Sequence, residues 1–262
     1  MLRLTRIEDG ACYVTDTTSL YVAWSMLCSS SKLFWGCEII QNLDKVKSLL
    51  DRTKSSQDIL EKSDAWSELI VLLQNIESPV LDAVRIVICF ENYFKAKMLL
   101  DGYVIHQMDL AVCKQNYPQF MKNEKDLLQK TAPISANDVK QAERQADWST
   151  EPFQTLTKQT IGMRMLVEQP KYRAIYSSQE PDAQRLFSVL ERLNETRNTL
   201  HFLSMEYVPE EIDKFLFLRN YVSTYIDALA IKIMHEDKGK IDVGKSEIHH
   251  LLDIEHGDLD EE

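Results

Sequence analysis

Glycine and proline are scarce, with 7 of each among 262 residues, so few positions force a turn and long stretches are free to be helical. Cysteine offers no framework either. Cys12, Cys28, Cys37, Cys89 and Cys113 are odd in number, widely spaced and without a Cys-x-x-Cys pair. This argues against a disulfide scaffold or a zinc ribbon and suits free thiols in a reducing compartment. No apolar run approaches the roughly 18 residues that span a bilayer, the longest being Leu20 to Cys28. A signal peptide is also not expected, because Glu8, Asp9 and Asp16 offset Arg3 and Arg6 near the N-terminus. A cytoplasmic protein without membrane contact is expected. There is no glycine-rich phosphate loop, no His-Glu-x-x-His helix and no cysteine with an evident histidine partner, so neither a cofactor nor a metal is expected. His249, His250 and His256 sit in an acidic stretch, where scattered histidines are more often solvated than ligating.

Basic charge is the other shortage. The net charge is -11, of which residues 236–262 supply -7 through 10 acids against 3 lysines. The remaining body is only mildly acidic. Without a bulk positive field, any nucleic-acid binding rests on a local basic groove.

What the chain does have is helical periodicity over a 44% hydrophobic composition, enough for a large core. The segments 2–7 and 11–14 alternate about Asp9-Gly10 and predict a short N-terminal β-hairpin, the single sheet expected in an otherwise all-α protein. Breaks are expected near Gly36, Ser55-Ser56, Ser63, Ser78-Pro79, Gly102 and at later prolines. They leave three long periodic helices at about 79–101, 182–203 and 209–235. Residues 1–78 are read as a hairpin and helices packing on a core at 79–235, with shorter peripheral helices over 103–151. Residues 236–262 have the composition of an acidic, flexible tail.

Two of the long helices carry polar residues where burial is expected. At about 100° per residue, Leu186, Val189, Leu190, Leu193 and Leu200 form one stripe, and Arg197 falls in its middle. His201 and Asn194 lie beside Arg197, with Asn198 a little further round. On the helix at 79–101, Val80, Val84, Val87, Phe94 and Met98 share a face with Glu91 near its centre and Lys95 one turn on. An uncompensated buried charge costs several kcal/mol, so Glu91 is expected to meet Arg197 or its immediate surroundings. Two readings follow from the residues. Glu91 and Arg197 form a structural ion pair, with His201 satisfied by a backbone carbonyl. Alternatively, Arg197, Asn198 and His201 form an anion-handling site, with arginine holding phosphate and histidine moving protons near neutral pH.

The segment Asn194-Glu-Thr-Arg-Asn-Thr-Leu-His-Phe202, set between two long amphipathic helices, resembles the signature helix of HEPN domains (higher eukaryotes and prokaryotes nucleotide-binding). Phe90 to His106, with Glu91 followed by Lys95-Ala96 and an apolar run, is similar to an early core helix of that family. The resemblance covers about 79–235 and implies a HEPN-like helical bundle with extra peripheral helices. Family members include metal-independent endoribonucleases of toxin–antitoxin and antiphage systems, which usually act as dimers. The family motif is Arg, a polar residue such as Asn, and typically three residues before His. Arg197 and Asn198 match the first two positions and His201 the last, with only Thr199 and Leu200 between. In an ideal helix this spacing sets Arg197 and His201 about 40° apart instead of about 140°.

The resemblance implies attack of an RNA 2′-hydroxyl on the adjacent phosphate, leaving a cyclic phosphate and a 5′-hydroxyl. His201 then acts as general base or acid, Arg197 stabilises the phosphoryl oxygens, and Asn198 orients the phosphate or imidazole, with Glu91, Asn194 and Lys95 in support. RNA, a second copy of the chain and a cognate antitoxin or defence-system protein are the implied partners. The shortened spacing and the acidic charge fit an alternative as well, a non-catalytic HEPN-like interaction or nucleotide-binding module with a structural Glu–Arg pair.

Overall fold

The computed structural model describes residues 2–7, 10–14, 16–76, 79–101, 103–108, 134–135, 157–177, 182–199 and 208–257, with side chains over most of the helical ones. Helices make up most of this. The N-terminal hairpin is present, β1 (Leu2–Ile7) pairing antiparallel with β2 (Gly10–Val14). It is not the single sheet. In a region expected to be helical, β3 (Tyr103–Val104) pairs with β5 (Ile134–Ser135), and β4 (His106–Met108) with β6 (Thr157–Thr160), all antiparallel. Val104, Ile105, Thr157 and Thr160 are β-branched, and such side chains suit short extended ladders better than helix turns.

The helices begin with α1 (Asp16–Trp35), α2 (Glu38–Gln41), α3 (Leu43–Ser55), α4 (Ile59–Gln74) and α5 (Pro79–Leu100). After the short strands come α6 (Met163–Glu168), α7 (Pro170–Ser177) and α8 (Ala183–Thr199). Then α9 (Val208–Tyr221), a π-helical stretch (Val222–Asp227) and α10 (Ala228–Glu236) follow without a break, and α11 (Lys238–Gly257) is the last. Helices begin at three of the expected proline breaks: α5 on Pro79 and α7 on Pro170, where the absent N–H leaves no bond unmade, and α9 on Val208 beside Pro209. The break expected near Ser63 is absent. Asp58 caps the helix, its carboxylate accepting from the Leu60 N–H at 2.9 Å, and α4 runs through an exposed Ser63. The segment expected as a flexible tail is helical over α11, with Ile241 buried on it.

By compactness the chain divides into two interleaved units, which differ from the boundaries expected at 78 and 235. One comprises 1–27, 91–181 and 230–262; the other comprises 28–90 and 182–229. In the first, Tyr93, Phe94 and Met98 of α5, Leu166 and Val167 of α6, and Tyr172 of α7 are buried. In the second, α3 and α4 form an antiparallel hairpin across Ser56 to Asp58, and α3 is tied to α9 by Arg219 and Asp44 at 2.8 Å. An aromatic chain runs through this unit from Phe34 to Phe90, Tyr221 and Phe217, with ring centroids 6.0 to 6.5 Å apart.

Cys28, Cys37 and Cys89 are free thiols. Burial pushes the Cys37 and Cys89 thiols well above the ordinary range, and Asp82 adds to the effect at Cys37. In a brief alkylation of the native protein at neutral pH followed by mass spectrometry, both are expected to stay unmodified until denaturant is added. Rapid native labelling of Cys89 would show that its surroundings open readily.

Candidate functional site

The stripe on α8 is sealed as its periodicity predicts, with Leu186, Val189, Leu190 and Leu193 all buried. Arg197 and Asn198 lie in the last described turn of the same helix, and Arg197 continues the register of Leu186, Leu190 and Leu193 one turn on. The side chains of Asn194, Arg197 and Asn198 lie outside the described residues, as do Leu200 and His201 altogether. The helix is described only to Thr199, so the 40° angle, which assumes an unbroken helix to His201, falls outside them too.

Glu91 and Lys95 are brought together. The Lys95 ammonium donates to Glu91 Oε1 at 2.6 Å, with side-chain exposures of 7% for the lysine and 25% for the glutamate. The other oxygen, Oε2, accepts from the Met163 backbone N–H at 3.1 Å, at the start of α6. The N-cap of α6 is Gly162, which has no side chain to bond an open N–H. Glu91 therefore caps a helix from 72 residues away in sequence. Glu91 is not central to the buried face. That face is formed by Ala83, Ile86, Phe90, Tyr93, Phe94 and Ala96, and at 100° per residue Glu91 falls at its edge. The partner its carboxylate requires is supplied by Lys95 and the N–H of Met163. The Arg197 pairing rests on a side chain outside the described residues. Glu91→Ala removes the cap and the ion pair to a buried ammonium, and is expected to cost about 2–4 kcal/mol, whereas Glu91→Gln keeps an acceptor oxygen and costs less. Urea unfolding of both variants checks this. Equal losses would mean that the charge on Glu91, and not the bond to the Met163 N–H, carries the energy.

A second carboxylate on α5 does the same for α2, and sequence reasoning missed it. Asp82 is 1% exposed; its Oδ2 accepts from the Ile39 N–H at 2.9 Å, while Arg85 donates to Oδ1 at 3.4 Å and to the Gly36 carbonyl at 3.0 Å. The N-cap of α2 is Cys37, which makes no side-chain cap. The available signal was the same in both cases: a short helix preceded by a residue with no side-chain oxygen has to find its acceptor elsewhere in the fold.

Among the described residues, no three His, Cys, Asp or Glu side chains converge to hold a metal, and no helix is long and apolar enough to cross a membrane. No family model matches the chain, and neither the curated proteins nor the solved structures searched contain a match.

Proposed function

We propose that the protein is a HEPN-like, metal-independent endoribonuclease of a bacterial toxin–antitoxin or antiphage system, with Arg197, Asn198 and His201 as its site. One observation carries this reading. Arg197 continues a sealed leucine stripe, while the carboxylate expected to neutralise it is already engaged by Lys95 and the Met163 N–H. An arginine in the register of a buried leucine stripe breaks the local pattern, and such breaks concentrate at functional sites, which favours a phosphate ligand. In the proposed reaction the RNA 2′-oxygen forms a bond to phosphorus as the bond to the 5′-oxygen breaks. His201 takes the 2′-proton or returns one to the leaving oxygen, and Arg197 stabilises the charge on the phosphoryl oxygens. A two-fold pairing of copies gathers two such sets and offsets the acidic body locally.

The test is incubation of the purified protein with single-stranded RNA in excess EDTA. Fragments ending in 2′,3′-cyclic phosphate and 5′-hydroxyl are expected, with none from an all-deoxy strand. Intact RNA under all conditions favours the second reading, a non-catalytic HEPN-like module, for which the shortened Arg197-to-His201 spacing speaks.

A further inference from the structure

Helix α4 has a second apolar side. Ala65 and Leu69 are buried, and Leu72 shares their face. The opposite, outward side carries Ile59, Leu60, Trp66, Ile70 and Val71; four of these are strongly exposed, at 81% for Ile59, 74% for Leu60, 42% for Trp66 and 55% for Val71. Ser63, Ser67 and Gln74 fill its remaining positions, so no charge lies between Trp66 and Val71 around the helix. A solvated helix normally places its charges there. Here they sit at the borders instead: Asp64, Glu68 and Glu61 along one edge, Lys62 on the other. Arg52 of α3 reaches Glu61 at 4.0 Å and Glu68 at 3.8 Å, which leaves the edge net negative. An uncharged face that exposes four large apolar side chains about a narrow strip of serine and glutamine marks an interaction site.

Charge selects the occupant. Antiparallel pairing with a second copy about a two-fold axis sets each acidic edge against its own image, which is repulsive. The face is also small: 16 residues give a strip about 24 Å long and one helix wide, well short of the roughly 800 Å² per partner of a stable dimer. An anionic membrane leaflet attracts helices bordered by lysine and arginine, and repels this edge. We propose that the outward face of α4 docks an amphipathic helix of a partner protein, one that presents an apolar stripe bordered on one edge by lysine or arginine.

The test uses two labelled helical peptides of identical apolar stripe, one with lysines along an edge and one with glutamates, titrated with the full-length protein. The lysine peptide is expected to bind at least about 10-fold more tightly at low salt, with the gap closing near about 0.5 M salt. Trp66→Ser is expected to weaken it at least about 10-fold, and Asp64→Lys to reduce the preference about threefold, with unchanged circular dichroism in both. Equal binding of the two peptides, or binding of neither, overturns the proposal. So does a dimer in sedimentation that Trp66→Ser dissociates, which assigns the face to a second copy. Trp66-dependent binding to phosphatidylserine vesicles in place of the peptide assigns it to lipid and overturns it equally.

Discussion

His201→Ala is expected to lower the rate of RNA cleavage by roughly 10²–10⁴-fold, the range that a positioned general acid or base contributes. On the catalytic reading the melting temperature is expected to change little, because the imidazole then serves the reacting groups and not the packing. The two readings of the Arg197 segment diverge most here. If His201 is a core histidine bonded to a backbone carbonyl, its removal lowers stability and leaves any nuclease activity in proportion to the folded fraction. If it moves a proton, activity falls while the folded fraction stays the same. A pH profile of the residual cleavage adds a second readout, because a reaction that has lost its histidine loses the inflection that imidazole gives near neutral pH. Cleavage at the wild-type rate by the alanine variant removes His201 from the mechanism.

Asp82→Ala is expected to be strongly destabilising. The carboxylate is sealed from water, and its loss leaves the buried Ile39 N–H without an acceptor and uncaps α2. The lost cap is this same buried donor left unsatisfied, so a loss near the upper end of about 1–3 kcal/mol is expected. For a chain of this size that is a fall of roughly 6–12 °C in melting temperature. Arg85 moderates the loss, because it keeps its bond to the Gly36 carbonyl and is not stranded. Asp82→Asn retains an acceptor and is expected to lose about half as much. Calorimetry of the two variants tests the cap directly: an Asn variant as unstable as the Ala variant would mean that the Arg85 ion pair, and not the N–H bond, carries the energy.

The fold was legible where single residues act locally. Pro79 and Pro170 start helices because their own geometry favours it, and the three long helices begin within one residue of the positions that periodicity gives. The leucine stripe of α8 was legible for the same reason, since burial on a regular helix follows the sequence period. The hairpin at 2–14 was legible from alternation about Asp9-Gly10. The strand pairs at 103–108, 134–135 and 157–160 were not, because a strand of two to four residues has too few positions to show a period and depends on a partner far along the chain.

Glu91 was misplaced for a related reason. Of the expected face Val80, Val84, Val87, Phe94 and Met98, the last three are buried, but the buried side reaches from them round to Ala83, Ile86, Phe90, Tyr93 and Ala96. That turns the helix enough to move a carboxylate from the centre of the face to its edge. There it is reached by Lys95 and by a helix N-terminus that no local rule connects to it. Asp82, an acid in the first turn of α5, reads in sequence as a favourable partner for its own helix dipole. The structure uses it for a different helix. Long-range capping of this kind is decided by packing, which leaves no periodic trace.

Arg197 either holds phosphate or holds the fold together. The most direct measurement is Arg197→Ala assayed in parallel for RNA cleavage and for urea unfolding. With Glu91 satisfied by Lys95 and Met163, the change is expected to cost less than about 1 kcal/mol while cleavage falls by at least about 10²-fold. A loss of about 3–5 kcal/mol, the cost of breaking a buried ion pair, with cleavage undiminished per folded molecule or absent from the wild type, would contradict it.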